Sequence, residues 1–464
     1  MKIKLRNLGQ LKQTEFELGD LTIICGKNNT GKTYATYATY GFFDFWNRNY
    51  NIPSDQDVVA QVFSKGKTIL DLSLYAKKAG KFIAQANKEY SRMLFNIFAA
   101  NQNLFKGVDF KTQFNIKKDY LKESIEIEAG SSEKSLLLIT KDVGSDKLIV
   151  SLMIDKNDLE DVPSERIIGT LISNTIKDVL FKKYIPKVFI ASAERTGSAI
   201  FQKELDFTRN RIVELLKDKS TSFHPLKLLG NFSSDYPIPV RRNVDFIREL
   251  SSIANKDSFI YKKHRDILND FANIIGGEYK VAKEGDVQFI PESNKRLRLT
   301  MVESSSAVRS LLDIGFYLRH KAKPDDMLII DEPELNLHPE NQRRITRLFT
   351  QLVNIGIKVF ITTHSDYIIK ELNTLIMLNK QSAYTNQIAK EEKYNKKEFI
   401  SADKLKVFIA KDQLVLLKGN KRKTPCKSLV PAGIDKQFGI EADSFDTTID
   451  EMNRIQEALV WGDE

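Results

Sequence analysis

The sequence predicts an α/β protein with its ligand site at the ends of buried strands, and three stretches carry that expectation. An apolar run, Leu21 to Cys25, enters Gly26-Lys27-Asn28-Asn29-Thr30-Gly31-Lys32-Thr33. A second run, Met327 to Ile330, closes on Asp331-Glu332. A third, Lys358 to Thr363, closes on His364. Buried strands that deliver charged or titratable groups at their carboxyl ends suit a parallel α/β sheet, because ligands gather there.

The first stretch reads G-x-x-x-x-G-K-[ST], the phosphate-binding P-loop. Its glycines let the backbone take φ > 0 and bring N–H groups up to phosphate oxygens. The following helix, Tyr34 to Trp46, points its positive end at the same place. Lys32 would reach the β- and γ-phosphates of ATP, and the Thr33 hydroxyl would take a place on Mg²⁺. Asp331 would hold that metal, directly or through water. Glu332 would orient or deprotonate the attacking water, and His364, at the spacing it has here, resembles the switch histidine that ABC-type ATPases place near the γ-phosphate.

The remaining elements follow in chain order. Residues 1–18 read as two short strands with a turn near Gly9. Residues 56–100 show a helical pattern (Ile69, Leu70, Leu72, Leu74, Ile83, Met93, Leu94, Ile97), and 110–155 an antiparallel meander punctuated by GSS and GSD turns. Residues 164–183 return to helix. Val188 to Ala191 reads as a buried strand running into Ser192-Ala193-Glu194-Arg195-Thr196-Gly197. From Phe201 to about Ile275 the pattern is mostly helical and fits an inserted arm. A Gly276-Gly277 break leads to a hairpin over 278–300. Glu303-Ser304-Ser305-Ser306 opens an amphipathic helix over 307–320; the serines serve either as ordinary caps or to aim N–H groups at an anion. Pro339 suits the first position of a helix from Glu340 onward. Ile449, Met452, Ile455, Leu459 and Trp461 form a docking stripe on a tail helix, 446–461.

Composition narrows the class. With 464 residues, 42 % hydrophobic and 28 % charged, the chain is globular, with two or three domains expected. No apolar run is long enough to span a bilayer, and the N-terminus lacks a signal-peptide core. Two cysteines, Cys25 and Cys426, exclude a disulfide framework and fit a cytoplasmic protein. The net charge of +10 is compatible with nucleic-acid contact, with an acidic partner, or with a solvated surface. Lysines crowd 390–427 around Lys421-Arg422-Lys423, while the tail from Glu441 is acidic.

Five segments together resemble the ABC-class ATPases of the SMC and RecF kind, most closely the OLD-like (AAA15) branch. They are GKNNTGKT (26–33), ASAERTG (191–197), ESSSAVRSL (303–311), LIIDEPELNLHP (328–339) and ITTHS (361–365). The resemblance implies an ABC-type P-loop ATPase head with an antiparallel β-lobe. The head would comprise 1–200 and 285–380, the arm 201–284, and a small partner-docking region 381–464. It also implies heads that associate around sandwiched ATP, with Ser304, Ser305 and Ser306 facing the partner's γ-phosphate. Two departures stand out. Ala307 replaces a signature glycine, and Glu194 or Arg195 stands where a glutamine is usual.

After His364 the sequence has no Asp-x-Asp pair and no further histidine. An OLD-type nuclease domain is therefore not expected, and the effector would be a separate protein. The resemblance extends to ATPase subunits of bacterial anti-phage systems such as PARIS, and next Septu, which work with a TOPRIM-type or HNH nuclease. The alternatives are a RecF- or SMC-like DNA clamp and a cryptic nuclease in 381–464.

Overall fold

In a computed structural model the chain is described over residues 1–53, 56–116, 118–130, 135–153, 164–200, 236–282, 285–417, 421–441 and 451–459. It divides into two compact units. The larger comprises Ile3–Gly41, Met93–Asp109 and Val188–Glu464. The smaller comprises Met1–Lys2, Phe42–Arg92 and Phe110–Lys187.

The smaller unit holds the expected β-lobe. Strands β4 (Lys67–Asp71), β6 (Ile125–Gly130), β7 (Ser135–Lys141) and β8 (Lys147–Leu152) form an antiparallel sheet in the order β4-β8-β7-β6. Strand β5 (Asp109–Gln113) precedes β6 in the chain. The helical pattern over 56–100 resolves into helices Gln56–Lys65 and Leu72–Ile97 with β4 between them. Alternation decides this difference: along β4 Thr68 and Leu70 are buried while Lys67, Ile69 and Asp71 face water. An aromatic cluster including Phe42, Trp46, Tyr90, Phe110 and Phe181 fills the core.

The larger unit is built on a mixed sheet. Strands β1 (Lys2–Leu8), β2 (Leu11–Glu17), β3 (Leu21–Cys25), β9 (Val188–Ala191), β13 (Met327–Asp331), β14 (Lys358–Thr363), β15 (Leu405–Val415) and β16 (Thr424–Pro431) occur in the order β1-β2-β16-β15-β3-β14-β13-β9. Strands β15, β3, β14, β13 and β9 run parallel. Register aligns their ends: Ile409 pairs with Cys25, Cys25 with Thr363, Thr362 with Asp331, and Ile330 with Ala191. All residues of β3 and β13 are buried, as strands covered on both faces must be. A separate small sheet, β10 (Gly277–Val281), β11 (Val287–Pro291) and β12 (Leu299–Thr300), forms the expected hairpin region. It begins after Gly276 caps the preceding helix at φ 72°.

Three features differ from the sequence reading. Residues 405–431, assigned to a C-terminal docking region, supply two strands, with β15 directly beside the P-loop strand. The described part of the expected arm, 236–275, places Phe246, Leu250, Ile260, Ile267 and Phe271 in the same core as Ile330 and Ile361; residues 201–235 lie outside the described residues. The 307–320 helix is three pieces, Ser306–Ser310, Leu312–Phe316 and a π-helical turn Tyr317–Lys321. Leu311 to Leu318 is buried on every side, so no amphipathic stripe is required.

Residues 451–459 of the tail are helical and exposed; Ile449 and Trp461 lie outside the described residues. Cys25 is fully buried, and burial pushes its thiol up to about 12, which makes it an inert core residue. No helix among the described residues is long and apolar enough to cross a membrane.

Candidate functional site

Parallel register brings the ends of β3, β14, β13 and β9 together, so the residues that follow them face one place. After β3 the loop turns with Gly26 at φ 142°, Asn29 at φ 59° and Gly31 at φ 96°. A Cβ at Gly26 would lie 2.6 Å from the Ala410 carbonyl oxygen of β15, and one at Gly31 would meet Leu11 at 2.8 Å. Both glycines are thus required twice, by backbone conformation and by close approach. Lys27, Asn28 and Asn29 are exposed at the loop's rim. Thr30 donates to the Lys27 carbonyl at 2.7 Å. The helix Lys32–Arg48 starts at the loop's end.

The Lys32 ammonium is buried and donates to the carbonyls of Gly26 (2.8 Å) and Lys27 (3.0 Å). Burial lowers its pKa, while Glu332, Asp331 and Glu334 act to raise it. Those three carboxylates are therefore its electrostatic partners, arriving from a strand 300 residues further along the chain.

Asp331 is fully buried at the end of β13. Its Oδ1 accepts from the Thr362 hydroxyl, and its Oδ2 has no partner. Burial pushes the carboxyl up to about 6, and the hydrogen bond from Thr362 works against the rise, as does the neighbouring Thr33 hydroxyl. An orphaned carboxylate oxygen at the foot of a phosphate loop that carries the Thr33 hydroxyl suits Mg²⁺, which takes oxygen ligands and is held through one or two carboxylates together with phosphate and water. The residues fit the group.

Glu332 sits at φ 52°, an uncommon conformation for a non-glycine residue. Its N–H donates to Thr362 Oγ1 at 3.1 Å, which fixes the turn. Its Oε1 lies 3.6 Å from His364 Nδ1. The His364 imidazole beside it holds the Glu332 carboxyl below its usual range, and Glu332 in turn raises the imidazole. Glu332 is thus ionised at neutral pH, the state a base requires.

Glu334, in the sequence one residue of the segment 328–339, organises the histidine. Its Oε1 accepts from Thr363 Oγ1 and from the His364 N–H, both at 2.7 Å, and lies 3.3 Å from His364 Nδ1. Burial raises the Glu334 carboxyl. No pattern in the sequence singled it out, because its role depends on the β13–β14 register.

Both candidates for the missing glutamine are placed here. Glu194 accepts from the Tyr37 hydroxyl at 2.7 Å and acts electrostatically on Asp331. Arg195 is buried and bonded to main-chain carbonyls, Asp331 and Glu332 among them.

The serines divide. Ser304 is buried and its hydroxyl donates to the Thr300 carbonyl at 2.7 Å, so it is committed to its own loop. Ser305 caps the helix Ser306–Ser310 by accepting from the Val308 N–H at 3.3 Å. Ser305 and Ser306 are exposed. Among the described residues no hydrogen bond ties the three serines to the P-loop of the same chain.

Solved structures similar to this chain include the SMC head domain from Thermotoga maritima, at 10 % identity over 93 % of this chain and 98 % of that one, with a TM-score of 0.29. Another is the Smc head domain with an extended coiled coil bound to the C-terminal domain of ScpA, derived from Pyrococcus furiosus. It matches at 12 % identity over 98 % of each chain, with a TM-score of 0.33. No curated protein matches. The family model described as AAA ATPase domain matches residues 1–369, and the chain belongs to that ATPase family.

Proposed function

We propose that the chain is an ATP-hydrolysing ABC-type ATPase that works as a composite-site oligomer and regulates a separate effector, a nuclease of TOPRIM or HNH type, in anti-phage defence. The observation that carries the ATPase reading is the convergence of the P-loop, Asp331-Glu332 and His364 at the aligned ends of neighbouring parallel strands. Residues 26–33 hold the phosphates with main-chain N–H groups and the Lys32 ammonium. Thr33 and Asp331 hold Mg²⁺, which supplies charge neutralisation at the phosphates. Glu332, ionised and fixed by Thr362 and His364, orients the attacking water and accepts its proton. His364, set by Glu334, is placed to contact the γ-phosphate. Ser305 and Ser306 are free to meet the nucleotide of a second copy, whereas Ser304 is not.

The effector role is supported by sequence: no Asp-x-Asp pair and no histidine follow His364. One observation favours a second reading, a RecF- or SMC-like nucleic-acid clamp. Lys421, Arg422 and Lys423 are all exposed beside the start of β16.

One experiment separates these readings. Purified protein with Mg²⁺ is assayed for ATP hydrolysis over a range of protein concentrations, and for nucleic-acid cutting and binding across salt. The regulator reading expects turnover per chain to rise with concentration, and no cutting. Full turnover from a monomer overturns the composite site. Lys32-dependent cutting overturns the separate effector. Steeply salt-dependent binding that is lost with Lys421, Arg422 and Lys423 supports the clamp.

A further inference from the structure

Arg195 is 1 % exposed and makes no ion pair at hydrogen-bond distance among the described residues. A buried guanidinium ordinarily meets a carboxylate, because desolvating the charge is costly otherwise. Here the fork is spent on four main-chain carbonyls from three separate segments. Nε donates to Ser310 at 2.7 Å, Nη1 to Ser192 and Asp331 at 2.8 Å each, and Nη2 to Glu332 at 2.9 Å. Ser310 is the last residue of the serine helix, Ser192 follows β9, and Asp331-Glu332 closes β13.

The planar fork cannot follow one of these segments without pulling on the others. Its rigidity sets it apart from a lysine, whose ammonium is a single point on a flexible stem. The Glu332 carbonyl belongs to the residue held at φ 52°, so the contact helps to keep an otherwise unfavourable turn. The acid that acts most on the guanidinium is Asp313, whose carboxyl burial pushes up to about 7 while Arg195 pulls it back down. It is 1 % exposed in the helix Leu312–Phe316, and neither carboxylate oxygen has a hydrogen-bond partner. It leads the acids that act on the guanidinium, ahead of Asp331, Glu334 and Glu332.

We propose that Arg195 is a positioning residue that mechanically couples the Asp331-Glu332 turn to the helix Ser306–Ser310 through its bonds to their main-chain carbonyls. Occupancy of the nucleotide site is thereby transmitted, within one chain, to the exposed serines at the start of that helix. The coupling is reciprocal: displacing the serine helix disturbs the placement of the Glu332 carboxylate. This inference rests on the ATPase reading. Arg195 donates to no residue of the phosphate loop, so its loss separates turnover from nucleotide binding.

The test uses the full chain. Equilibrium binding of ATP with Mg²⁺, turnover at saturating ATP, and amide exchange over residues 305–311 with and without a β,γ-imido ATP analogue are measured in wild type and in Arg195→Lys. The expected result is that the analogue slows exchange over 305–311 in wild type. In Arg195→Lys, ATP binds within about threefold of wild type, turnover falls roughly a hundredfold, and the exchange response is lost. Wild-type exchange that ignores the analogue overturns the coupling, as does Arg195→Lys with wild-type turnover. Should Arg195→Lys fail to fold, Arg195→Gln is read in the same way, and the wild-type exchange response tests the coupling without any variant. Lowered turnover at unchanged ATP affinity with loss of the exchange response supports the proposal, and unchanged turnover overturns it. Failure of wild type to bind ATP is a separate outcome, which removes the ATPase reading itself.

Discussion

At the scale of residues, the site stores unfavourable terms where a ligand would relieve them. Asp331 is the clearest case, with a buried oxygen that no donor reaches and a carboxyl raised from 3.8 to about 6. For a buried acid whose ionisation the fold disfavours, the stability cost is full above the raised midpoint near 6. It disappears as pH falls below 3.8, where folded and unfolded forms are both protonated. Asp331→Asn is therefore expected to stabilise the nucleotide-free protein at pH 8 by about 1–3 kcal/mol while abolishing Mg²⁺-dependent ATP binding. The gain should fade between pH 6 and pH 4. Denaturant titrations at several pH values check it, and a variant less stable at pH 8 would show that Asp331 is satisfied by the fold.

At the scale of elements, legibility followed periodicity. The P-loop strand, the acidic strand and the histidine strand are short apolar runs ending in unusual residues, and each formed where the pattern placed it. What stayed hidden depended on non-local pairing. The run Leu405-Lys406-Val407-Phe408-Ile409-Ala410 shares its Lys-Val-Phe-Ile core with β14, yet nothing in it announces that it inserts beside β3. Glu334 and Arg195 likewise gain their roles only through register and burial. The fully buried stretch Leu311–Leu318 was misread because apolar residues all round a helix mimic one face of a longer amphipathic one.

The helix Ile238–Arg248 illustrates the same point with consequences for the site. Its Asn243 is fully buried and serves the edge strand β9: Oδ1 accepts from the Ser192 N–H at 2.9 Å, and Nδ2 donates to the Ile190 carbonyl at 2.5 Å. It thus closes open backbone groups where the strand delivers Glu194 and Arg195. Removing it leaves a buried N–H and C=O unpaired. Asn243→Ala should cost about 1–3 kcal/mol, with turnover falling more than ATP affinity. Chemical denaturation and steady-state kinetics measure both, and a neutral Asn243→Ala would show that β9 needs no such support.

At the scale of the whole molecule, the larger unit brings together residues from nearly the full length of the chain. The P-loop, the 191–197 turn, the serine helix, the acidic strand, the histidine strand and β15 all belong to one sheet and core. That long-range assembly is why the ATPase signature was readable piecewise while its wiring was not. It also concentrates the account on one carboxylate. Glu332 is ionised, conformationally strained and held by Thr362 and His364, and the proposed chemistry assigns it the water. The decisive measurement is therefore ATP binding and single-turnover hydrolysis by Glu332→Gln. The variant is predicted to bind ATP with Mg²⁺ within a few-fold of wild type and to hydrolyse it at least roughly a hundredfold more slowly. Hydrolysis by Glu332→Gln at the wild-type rate would contradict the account.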